Sequence, residues 1–257
     1  MVKKKRIGGV STPGSINFEG ETYSCDINKK GEVEIEKSGI RWSRRFPVIL
    51  KIPFLRGIVV YLETMFSLLK GYYKKHKVQV IIGLFFVFGM MFMPASEYVS
   101  KGLFWDNYIN ILFIGLFIYF VYSAKTHHSI EHKLIGAYIN DTDLSLEAIK
   151  AQPKESSRCG GVFVAWILIT KILLDIYYPI DNFFIETCII FSIGYEGFLL
   201  ANIDWFFKEL FYAPGYLIQK ITTTHKVKDE DIMKFRKGFL EFIEKEERVG
   251  GKENART

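Results

Sequence analysis

Cysteine is scarce in this chain. Cys25, Cys159 and Cys188 are the only three in 257 residues, and their odd number and open spacing exclude a small fold stapled by disulfides. A cleavable leader is missing too: Lys3, Lys4, Lys5 and Arg6 run into a Gly/Ser/Pro-containing stretch with no apolar core, so the N-terminus reads as retained and cytosolic. No internal repeat supports a transporter. Aromatics, by contrast, are plentiful at 16%, with 23 Phe, and the apolar residues gather in long blocks. The net charge of +6 could suit nucleic acid, but Lys and Arg flank the apolar blocks, which is how a membrane protein fixes its orientation, so no nucleic-acid partner is expected.

Taken in order, the pattern predicts an integral membrane, mostly α protein. Residues 1–46 read as a small cytosolic β-rich segment: Tyr23, Cys25 and Ile27 alternate with polar residues before the Asn28-Lys29-Lys30-Gly31 turn signal, and Val33 and Ile35 alternate with Glu after it, which is a hairpin pattern. Ile16 and Phe18 suggest a strand upstream. Residues 47–77 read as an amphipathic helix, with Ile58, Val59, Leu62, Met65, Phe66 and Leu69 on one face and Arg56, Glu63 and Lys70 on the other; it either lies in the cytoplasmic interface or packs on the bundle.

Residues 78–205 then read as four transmembrane helices, with spans at about 78–95, 109–124, 162–180 and 183–205, since a span takes roughly 20 apolar residues. A His/Cys loop, 125–161, joins the second and third. Residues 206–247 form a cytosolic amphipathic segment in which Ile232, Phe235, Phe239 and Phe242 recur at helical spacing after Asp229, and 248–257 is a tail. Lys and Arg crowd before Val78, in the loop and after Asp204, which predicts a multi-pass protein of the bacterial cell membrane with both termini cytoplasmic. Inside the spans, Lys171 and Glu196 fall at similar depth and form a candidate charged pair, because an isolated charge there is costly.

The chemistry concentrates at Ser123 to Val162. His127, His128 and His132 fall close together, and from His128 they read His-x-x-Glu-His, which on a helix puts His128 and His132 one turn apart on one face. With Cys159 as thiolate this is an N/N/S set suited to Zn2+, and Glu131 is the candidate ligand or general base for water. The plainer reading is a cationic cluster at a helix C-terminus facing lipid headgroups.

These motifs, with Lys51-Ile52-Pro53-Phe54-Leu55-Arg56-Gly57, Arg158-Cys159-Gly160, Gly194-Tyr195-Glu196 and Pro214-Gly215 through Gln219 to Thr222-Thr223, together resemble the YqhQ-type bacterial membrane proteins, a domain-of-unknown-function family often labelled a predicted metal-dependent enzyme. The resemblance implies a metal at His128, His132 and Cys159. It also marks departures: Ser129 and Ile130 stand where the family has Gly-Ala, Ser156 and Ser157 where it has His-Pro, and Gly161 where it has Thr. Two functions are therefore expected: a membrane scaffold or regulator whose cytosolic face binds lipid or a protein partner, and a zinc-dependent hydrolase at the cytoplasmic membrane surface. The sequence does not set the oligomeric state.

Overall fold

The computed structural model describes residues 7–38, 48–63, 66, 122–178, 180, 182–224 and 226–254. In chain order the elements are strands β1 (Gly8–Ser11), β2 (Ser15–Glu19), β3 (Tyr23–Asn28) and β4 (Val33–Lys37), a short 3-10 turn at Ile49–Lys51, and then helices α1 (55–63), α2 (122–139), α3 (Leu146–Ala151), α4 (Gly160–Tyr177), α5 (Phe183–Leu200), α6 (Lys208–Thr222) and α7 (Asp229–Asn254). They fall into two compact units, one of residues 1–38, 114–159 and 216–257, the other of 39–113 and 160–215.

In the first unit the strands form an antiparallel meander in the order β1-β2-β3-β4. The hairpin expected between β3 and β4 is present, with Cys25 opposite Ile35 and Ile27 opposite Val33. The Asn28 side chain accepts from the Lys30 and Glu32 amides, and Gly31 turns the corner at φ 82°, a conformation open to glycine. Alternation puts Ile16, Phe18, Cys25 and Ile27 on one face, all fully buried. A sheet this small needs a cover, and α7 supplies it. Its Ile232, Phe235, Phe239 and Phe242 are buried in the same core, and the Phe18 and Phe239 rings lie 4.6 Å apart. At Gly238 a Cβ would sit 2.7 Å from the Ile27 and Val33 side chains, so the lack of one lets helix and sheet close up. Glu246 finishes the join: its buried carboxylate accepts the Thr22 and Tyr23 amides, each at 2.8 Å.

Helix α2 completes this core with Ile130, Leu134, Ala137 and Tyr138. Ser145 caps α3 by accepting the Ala148 amide, and Ile149 joins the same apolar cluster.

In the second unit α4 and α5 pair along their lengths through small residues. A Cβ on Gly194 would meet Ile167 at 3.0 Å, and one on Gly197 would meet the Trp166 ring at 2.5 Å. Phe163 packs among Phe191, Tyr195 and Phe198. Trp166 donates from Nε1 to the Phe211 carbonyl at 2.8 Å. The 52–57 segment closes on α5 where Gly57 meets the Phe191 carbonyl.

The four-helix membrane fold is corrected here. Among the described residues one helix, Gly160–Tyr177, is long and apolar enough to cross a membrane. The expected span at 78–95 and all but the last residues of 109–124 lie outside the described residues. Ser123 and Ala124, expected at the end of a span, belong to α2, which runs on through the histidine cluster into the first unit's core. The expected Lys171–Glu196 pair is not formed. Lys171 bonds Asp175 and lies 3.0 Å from Glu186, while Glu196 takes the Arg56 guanidinium and the Phe54 amide. Hydropathy counts apolar length and is blind to what a helix packs against, and so it read 183–205 as a span although α5 packs on α4.

Candidate metal centre

Three of the expected site residues meet in the first unit. On α2 the four-residue spacing places the His128 and His132 rings 4.4 Å apart, centroid to centroid, as one helical turn requires. Cys159 comes from the loop before α4, and His128 Nε2 lies 3.2 Å from its Sγ. One donor atom from each of His128, His132 and Cys159 lies within 4.8 Å of the other two, a grouping that could hold a metal ion.

Backbone carbonyls fix which nitrogen faces that point. His132 Nδ1 donates to the Lys154 carbonyl at 2.5 Å, and His128 Nδ1 donates to the Thr222 carbonyl at 3.3 Å. A carbonyl can only accept, so in each neutral ring the proton sits on Nδ1 and the lone pair on Nε2, the arrangement that orients metal-binding histidines. Burial and the neighbouring His128 push His132 down to about 4, and burial lowers His128 as well. Both rings are neutral at pH 7. His132 Nε2 is buried with no hydrogen-bond partner, a costly state for a polar atom unless something fills the space beside it. The residues present therefore fit a metal ion.

The loop bearing Cys159 is itself pinned. Gln219, fully buried on α6, accepts the Ser156 amide at 2.7 Å and donates to the Ser156 carbonyl at 3.0 Å. The Cys159 amide in turn donates to that carbonyl at 3.2 Å. The carbonyls of Lys154 and Thr222 escaped sequence reasoning, since a backbone acceptor leaves no trace in residue type. Gln219 stood in the Pro214-to-Thr223 run of the resemblance, but its hold on the Ser156 loop was not legible there.

The other expected residues go elsewhere. Glu131 points to β1, where the Ser11 hydroxyl donates to its carboxylate and Gly9 packs against it so closely that a Cβ would fall 2.6 Å away. Burial raises its pKa to about 7. His127 donates from Nδ1 to the Thr12 carbonyl at 2.9 Å and meets the Phe235 ring edge-on. The candidate ligand His132 also forms part of the wall of a cavity of about 250 Å³, shared with Asn140, Glu155, Ser156, Ser157 and Arg158.

Residues 52–233 match the model of a protein family described as "Protein of unknown function (DUF1385)". The chain belongs to that family. The matched DUF1385 region holds all three candidate ligands, Gln219 and Thr222, and leaves out the β-sheet. Over 293 aligned residues the chain is 22% identical to the "Uncharacterized protein YqhQ" of Bacillus subtilis (strain 168), an alignment that covers 92% of each chain. No solved structure matches.

Proposed function

We propose that this chain is a metal-dependent hydrolase whose ion, zinc, is held by His128, His132 and Cys159. The observation that carries the reading is the buried, unpartnered Nε2 of His132 beside His128 Nε2 and Cys159 Sγ. Two imidazoles and a thiolate suit zinc, and three protein ligands leave a fourth position for water or substrate, the pattern of catalytic sites. Zinc bound there supplies Lewis acidity and a more acidic water. Glu131 is committed to Ser11, and the carboxylate that lines the cavity is Glu155. In this reading Glu155 takes the proton of the attacking water as its oxygen bonds the electrophilic centre, then returns it to the leaving oxygen as the old bond breaks.

The test is metal analysis of the purified full-length chain against a His128→Ala/His132→Ala control, followed by hydrolysis of chromogenic ester and phosphoester substrates. Zinc in the wild type alone, with turnover abolished by chelation and restored by zinc, is the expected result. Equal zinc in both proteins overturns the reading.

A second reading concerns location and rests on α4. Only 17% of its apolar window is buried, whereas the core helix of a soluble protein is mostly buried, and Leu168, Ile172, Leu173 and Ile176 are exposed. Contact between this helix and a lipid bilayer accounts for that exposure. The apolar face of α7, which prompted the scaffold expectation, is already used on the sheet, and that leaves a protein partner with less support than the bilayer. Carbonate washing of membranes checks this: the chain stays in the pellet if α4 is lipid-embedded, and recovery in the supernatant contradicts it.

A further inference from the structure

We infer that the cavity beside His132 is a phosphoryl-binding subsite, with Arg158 as the residue that recognises the anion; this rests on the zinc reading above. The cavity joins polar and apolar surface. Its lining combines Gly136, Ile139 and Pro153 with Ser156, Ser157, Arg158 and the candidate ligand His132. A group held there touches one of the three candidate ligands, His132.

The charge of the lining favours an anion. Arg158 is exposed, and no carboxylate pairs with it among the described residues. Glu155, the acidic group of the wall, has the Lys154 ammonium 3.6 Å away. With Glu155 matched by Lys154, Arg158 leaves the surroundings of the cavity net cationic. Donors are available as well. Ser156 Oγ accepts the Arg158 amide at 3.2 Å, which leaves its hydroxyl hydrogen free to point at a ligand.

The number of contacts favours phosphoryl over carboxylate. A tetrahedral phosphoryl group presents three peripheral oxygens, one each for the two points of a guanidinium contact and a serine hydroxyl; a carboxylate has two. About 250 Å³ also exceeds what a bare phosphate fills, and the apolar side of the cavity suits a small organic group carried on the phosphoryl.

Inorganic phosphate is the probe, titrated calorimetrically into the zinc-loaded full-length chain. Wild type binds phosphate, and acetate binds at least about tenfold more weakly. Arg158→Ala keeps its zinc and its melting temperature and loses phosphate affinity by about tenfold or more, the range of a charge-assisted two-point contact. Zinc present with no phosphate binding, phosphate binding unchanged in Arg158→Ala, zinc lost in that variant, or acetate binding as tightly as phosphate would each overturn the subsite. Absence of zinc from wild type would instead overturn the metal reading on which it rests.

Discussion

Burial decides the chemical state of individual residues in the first unit. Cys25 is fully buried in the sheet core, and burial first, then the Asp26 and Glu241 carboxylates, push its thiol up to about 12. It stays a protonated, inert thiol. Alkylation by iodoacetamide at pH 8, read by mass spectrometry, should leave Cys25 unmodified in the folded protein and label it only in denaturant. Glu131 gives a pH signature. Its pKa rises from 4.5 to about 7 on folding, so the folded state holds a proton that the unfolded state has released. That contribution is whole below pH 4.5 and is lost as pH rises through about 7, an effect on the order of 3 kcal/mol. Glu131→Gln removes the loss. In metal-free protein at pH 8 the variant should unfold at higher denaturant than wild type, and the advantage should vanish below pH 4.5. The sequence showed the His-x-x-Glu-His spacing, and with it the two histidines; it could not show that Glu131 turns to Ser11 and Gly9, since that depends on a strand more than a hundred residues away.

Between elements, joins made by single side chains hold the site together. Glu246 fastens α7 to the start of β3 by accepting hydrogen bonds from the Thr22 and Tyr23 amides. Glu246→Ala should destabilise the chain by about 2 kcal/mol, because two half-buried amides lose their acceptor, and chemical unfolding would measure it. Gln219→Ala acts differently. It frees the Ser156 loop that presents Cys159 while removing no ligand, so zinc affinity should fall by about 10- to 100-fold, as for other residues that support metal ligands. Competition with a chromogenic chelator reads this directly. Elements with a strong local period were legible: the β3–β4 hairpin from alternation around Asn28–Gly31, and α7 from Ile232, Phe235, Phe239 and Phe242. What those faces covered was not legible, because pairing the sheet with α7 joins the two ends of the chain, and neither carries a sign of the other.

For the molecule as a whole, apolar length proved a poor guide to architecture. Val162 to Ile180 read as a span, and α4 is the one described helix that meets that requirement. Phe183 to Trp205 read as another, yet in α5 Glu186 lies beside Lys171 and Glu196 beside Arg56, and its glycines seat α4. The His/Cys segment, expected as a loop between spans, is instead the continuation of a core helix and the approach to α4. His128 and His132 lie one turn apart on that helix, as their spacing led us to expect, and its packing in the core holds the pair rigidly.

Zinc content per chain puts the metal centre to its sharpest test, read by elemental mass spectrometry on wild type and on His128→Ala/His132→Ala purified side by side. About one zinc per chain is expected in wild type and close to none in the variant. A correctly folded wild type with no more zinc than the variant would contradict a metal held by His128, His132 and Cys159.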